Sequence, residues 1–153
     1  MKFIKVFILT TILSFLLFPT NGMASTLEIL PSSEKSNEWE IVIDKPKNNE
    51  VKSKPDVYNI YSMAIKYIGN EDIKIERVEM YRNDPSSSYD FELLTASGDD
   101  LELEVLEKNS DHPVISHQNF LISTEATNLK VIVTWKKEGK ESRKYREEFN
   151  FKQ

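Results

Sequence analysis

The sequence predicts an all-β protein, a single antiparallel β-sandwich of about seven strands that follows an N-terminal signal helix. Three observations carry this prediction. From residue 38 onward, short runs alternate apolar and polar residues, the two-residue period of a strand with one buried face. Polar clusters rich in Asn, Asp, Ser and Pro separate the runs, and no long stretch holds a helical apolar period. The 153 residues include four glycines and no cysteine, so the domain is held by packing and not by disulfides.

Lys2 and Lys5 open the chain, residues 6–18 are a 13-residue apolar run, and Pro19 and Asn21 lead to the small-residue site Gly22-Met23-Ala24. That order is a secretory signal peptide, with cleavage expected near Ala24. As a helix rising about 1.5 Å per residue, the run reaches roughly 20 Å, short of a hydrocarbon core of about 30 Å. It reads as a signal and not as an anchor. Residues 25–37 are polar apart from Leu27, Ile29 and Leu30, and are expected as a loose segment ahead of a domain spanning 38–153.

The first expected strand is 38–44, with Trp39, Ile41 and Ile43 on one face. Residues 45–56 carry two prolines and several Asn and Lys residues, which resist ladder pairing and make a long connection. The run 57–68 puts Val57, Tyr61, Met63, Ile65 and Tyr67 on one side and reads as a central strand. After the turn 69–72, the run 73–81 changes parity from Ile73 and Ile75 to Val78 and Met80. Such a change turns core residues outward unless one residue is inserted, so a β-bulge is expected at Glu76-Arg77. Tyr89, Phe91 and Leu93 mark a fourth strand, and Leu101, Leu103 and Val105 a fifth. The stretch 114–122 reads either as a strand or as an irregular crossover. Residues 129–137 and 144–151 form a hairpin around Glu138-Gly139-Lys140, with Gly139 supplying a positive φ.

The net charge is −5; without the two signal lysines, 18 basic residues face 25 acidic ones, a net −7. Phosphate backbones are repelled overall, which excludes a nucleic-acid partner. Export without cysteine, in a chain rich in Lys, Asn and Ile, points to a bacterial exporter.

The residues offer little catalytic chemistry. His112 and His117 lie five apart, which puts them on opposite faces of an extended segment, so they read as polar loop residues and not as a metal pair. Asp84, Asp99, Asp100 and Asp111 are oxygen donors that calcium would use, but EF-hand spacing is absent, and Glu102 and Glu104 read as a solvated strand face. There is no Gly-x-Ser-x-Gly elbow. No catalytic residue, metal or cofactor is therefore assigned. Trp39, Tyr61, Tyr67, Trp135, Phe149 and Phe151 fall on the apolar parity and are assigned to the core. Tyr58, Tyr81 and Tyr89 are placed less firmly by parity. With the Asp84-Pro85 loop and the histidines they give the candidate ligand surface: Tyr81, Asp84, Tyr89, His112 and His117. The lysines of the last hairpin read as edge protection against strand pairing.

The number and spacing of these strands, ending in a hairpin whose first strand carries Trp135, resemble the immunoglobulin-like sandwich. The chain lacks the paired cysteines of antibody domains, and its tryptophan sits late. The resemblance implies a fold and no activity. The expected function is that of a secreted, non-enzymatic domain that recognises an unknown protein or envelope polymer through loops 82–88 and 107–118. A carbohydrate-binding module is the alternative if tyrosines form an exposed row. A small hydrolase is the second, and it requires a cleft holding His112 or His117 beside a serine or carboxylate.

Overall fold

The computed structural model describes residues 25–46, 52–97, 114–139 and 143–153. The signal segment, the strand expected at 101–105, His112 and Lys140 lie outside these residues. The described residues form nine strands: β1 (Ser25–Thr26), β2 (Ser32–Lys35), β3 (Trp39–Asp44), β4 (Tyr58–Tyr67), β5 (Ile73–Arg82), β6 (Phe91–Ser97), β7 (Val114–Ser123), β8 (Asn128–Lys137) and β9 (Lys144–Lys152). They make two sheets, ordered β1-β9-β8-β5-β6 and β2-β3-β4-β7. Every ladder is antiparallel except the two-residue parallel pairing of β1 with β9.

Period-two alternation builds the core. Trp39, Ile41 and Ile43 of β3 and Tyr61, Met63, Ile65 and Tyr67 of β4 are buried on one sheet. Val78 and Met80 of β5, Leu129, Val131, Val133 and Trp135 of β8, and Phe149 and Phe151 of β9 face them from the other. Trp39 joins the layers, with its ring 5.4 Å from Trp135 and 5.2 Å from Tyr67, both edge to face. Such contacts are worth about 0.5–1.5 kcal/mol beyond the area they bury.

Three irregularities keep the apolar side chains inward. On β5, Ile75 pairs with Trp135 but Arg77 pairs with Thr134, so Glu76 is the extra residue, at the position where the parity change places it. Its carboxylate receives Lys136 at 3.1 Å and Lys144 at 3.0 Å, and these hydrogen bonds hold it below the usual carboxylate range. On β6, Leu93 is extra between the pairs Met80–Leu94 and Tyr81–Glu92. On β7, Gln118 and Asn119 intervene between the pairs Tyr61–Phe120 and Met63–His117, with Asn119 at φ 58°. Asparagine tolerates that left-handed conformation better than most residues.

The structure departs from the sequence reading in three places and decides a fourth. Residues 25–37 are not loose: β1 and β2 pair into the two sheets and Leu27 is in the core. Backbone pairing holds these short strands, so their polar side chains carry no strand period. The fourth strand lies at Phe91–Ser97, because the bulge at Leu93 makes Leu94 and Ala96 the inward pair and leaves Tyr89 in the preceding loop. The stretch from Val114, which the sequence left open between a strand and an irregular crossover, is a strand. Finally, the lysines of β8 are not on an edge, since β8 lies between β9 and β5; Lys136 and Lys137 are instead ion-paired to Glu76, Glu38 and Glu71.

Candidate functional site

A cleft of about 600 Å³ opens between the sheets where β6 and β7, the outermost strands among the described residues, face each other. Its walls come from the start of β4 (Val57 beside it, then Tyr58), the end of β5 (Arg82), the start of β6 (Phe91 to Leu93) and the outer half of β7 (His117, Asn119 to Leu121, Ser123). This volume lies within the range of about 300–1,000 Å³ typical of small-ligand sites.

Large apolar side chains collect at its mouth. Val57, Phe91 and Leu121 line the cleft while remaining 57%, 55% and 43% exposed. Tyr89, more exposed still, precedes Phe91 by two residues. Single exposed apolar residues are ordinary, whereas several from separate segments meeting at one opening mark an interaction site.

Arg82 is the cation of this cleft. It continues the inward parity of Val78 and Met80, so its side chain enters the space between the sheets at the end of β5. Its register partner is Phe91, and the guanidinium lies 4.6 Å from the centre of that ring. Asn83 holds the strand end in place: its side-chain amide donates to Thr127 Oγ1 at 2.9 Å, and its Oδ1 accepts from the Thr127 and Asn128 backbone N–H groups.

The β7 bulge sets the opposite wall. His117 shares the core-facing parity of Ile115, and the extra residue brings Phe120 onto the same side, so the two rings stack at 5.7 Å with an interplanar angle of 14°. Burial pushes the His117 pKa below its ordinary value of 6.5, so the ring is neutral at pH 7. Asn119 Oδ1 is buried without a hydrogen-bond partner.

Of the five residues singled out from the sequence, the four that are described are not brought together as a group. His117 lines the cleft, and Tyr89 stands exposed near its mouth. Tyr81 is on the outer face of its sheet, donating to Glu79 Oε1 at 2.8 Å beneath Lys130; that bond, with burial, raises its pKa. Asp84 is used within its own loop, accepting from the Ser86 hydroxyl at 2.7 Å and the Ser86 N–H at 2.9 Å, which lowers its pKa. His112 is outside the described residues. Sequence reasoning placed Arg82 in the recognition loop 82–88, whereas it ends strand β5, and it passed over Phe91, Asn119 and Leu121 as site residues. The signal for Arg82 was present, since it extends the Val78–Met80 alternation by one step. Among the described residues no group of three or more His, Asp or Glu side chains converges as a metal site.

A protein-family model described as YozF-like secreted protein matches residues 23–153. The chain belongs to that family. The protein is thus a secreted one, as its first 24 residues led us to expect. This family member is similar to the uncharacterized protein YozF of Bacillus subtilis (strain 168), with 26% identity over 152 residues that cover 94% of this chain and 92% of that one. No solved structure gives a significant match to this YozF-like chain.

Proposed function

We propose that this secreted protein is a non-enzymatic binding domain whose ligand occupies the cleft between β6 and β7. The observation that carries the reading is the meeting of exposed Val57, Phe91 and Leu121, from three separate segments, around the inward-facing Arg82. A hydrolytic histidine needs an orienting partner. The His117 ring instead stacks on Phe120, and its nitrogens have no hydrogen-bond partner among the described residues, which favours binding over catalysis. The family match beginning at residue 23 supports removal of the signal segment near Ala24. The two-sheet architecture supports the immunoglobulin-like reading of the strand pattern.

The test uses the paired substitutions Phe91→Ser and Leu121→Ser with 1-anilinonaphthalene-8-sulfonate as the probe. Both side chains are substantially exposed, so each change costs about 0.5 kcal/mol or less and leaves the fold intact. The expected result is one-to-one saturation of the native protein by the dye and binding at least tenfold weaker in the double variant. Equal binding by the two proteins, or no saturable binding by the native one, would overturn the reading.

A further inference from the structure

We infer that the ligand of the β6–β7 cleft is a small amphiphile with a single carboxylate, its head on Arg82 and its apolar body against Phe91, Leu121 and the His117–Phe120 stack. The inference rests on the binding reading above and names the chemical class that the site selects.

The argument begins with the charge inventory around Arg82. Among the described residues its guanidinium makes no ion pair, and its hydrogen bond is a long one, 3.5 Å, to the Asn83 carbonyl oxygen. The neighbouring described acids make their hydrogen bonds and ion pairs elsewhere, although Asp84 feels a weaker attraction from Arg82. Glu79 accepts from the Tyr81 hydroxyl and pairs with Arg77 at 3.4 Å. Asp84 is held by Ser86, and Asp90 pairs with Lys130 at 2.5 Å. Glu92 borders the cleft, but its register partner is Tyr81, so it belongs to the outer face of the sheet while Arg82 and Phe91 share the inner one. Among the described residues the inward-facing charge is therefore positive.

An arginine presents five donors in a planar fork that matches a carboxylate in two-point contact. Here one face of that plane rests on Phe91, leaving the donor edge available to an acceptor. The ring fixes the plane in advance, which lowers the entropy lost on binding. Beyond the guanidinium, rings and aliphatic side chains make most of the wall, with Asn119 and Ser123 as neutral polar groups and Glu92 at the border, a lining that suits an alkyl or aryl body and gains nothing from a second charge.

The experiment is calorimetric titration of the secreted protein with three ten-carbon probes at concentrations below micelle formation: decanoate, decanol and decyltrimethylammonium. Decanoate is expected to bind at one site about tenfold more tightly than decanol, with decyltrimethylammonium weakest, and Arg82→Gln is expected to bring decanoate to the level of decanol. Decanol equal to or tighter than decanoate, or unchanged decanoate affinity in a folded Arg82→Gln variant, overturns the carboxylate assignment and leaves the cleft reading standing. No saturable binding of any probe overturns both. If Arg82→Gln does not fold, the ranking of the three probes on the native protein decides by itself.

Discussion

Leu27→Ala tests whether the N-terminal segment belongs to the sandwich. Leu27 is 4% exposed and packs into the core, and its N–H donates to the Lys152 carbonyl oxygen at 2.6 Å. Buried Leu→Ala changes cost about 2–5 kcal/mol according to how far the site relaxes. Leu27 also borders a second cavity of about 410 Å³ at the sandwich end, where the surroundings relax readily, so the low part of that range applies, about 2–3 kcal/mol. At about 2.1 cal/mol/K per residue, the unfolding entropy of the roughly 129 residues that follow position 24 is about 0.27 kcal/mol/K, so the midpoint falls by about 7–11 °C. Near-ultraviolet circular dichroism follows the transition, because Trp39 and Trp135 pack against each other in the core. A fall of less than about 3 °C would refute the placement of β1 and Leu27 in the fold.

Three further outcomes follow from local geometry. A Cβ at Gly69 would overlap Glu38 Oε2 and the Tyr67 hydroxyl, in the network that Lys137 completes with Glu38 at 2.8 Å and with Glu71; Gly69→Ala is expected to cost about 1–3 kcal/mol, measured by urea unfolding. Deleting Glu76 removes the bulge and rotates either Ile73 and Ile75 or Val78 and Met80 out of the core, so the cooperative thermal transition is expected to vanish, whereas Glu76→Ala keeps it. The folded state holds the His117 pKa below 6.5, so the unfolded chain binds the proton first. Stability is therefore full above about pH 6.5 and declines as pH falls from there through the folded pKa, and a His117→Phe variant should lose that part of the pH dependence of the unfolding midpoint.

Much of the fold was legible because burial on one face writes a period of two into the side chains. Trp39, Ile41 and Ile43, or Leu129 through Trp135, could be assigned inward from spacing alone, and the parity break at Glu76-Arg77 located a bulge. What escaped depended on backbone pairing or on long-range register. β2 is Ser-Ser-Glu-Lys, with no apolar residue to mark a face, and is found through its ladder with β3. The bulges at Leu93 and at Gln118-Asn119 shift register where the local pattern reads as either parity, so the inward placements of Leu94, Ala96 and Phe120 were hidden. The cleft was obscure for the same reason. Its walls come from four segments spread over residues 57–123, and loop residues such as Asp84, which drew notice as polar groups, spend their hydrogen bonds within their own turns.

The most direct test of the cleft as the binding site is a nitrogen-15 amide shift map of the secreted protein titrated with 1-anilinonaphthalene-8-sulfonate. The account predicts saturable shifts concentrated at the amides of Arg82, Phe91 to Leu93 and His117 to Leu121, with β2 and the β8–β9 ladder unmoved. Shifts centred on any other surface, with those amides unchanged, would contradict it.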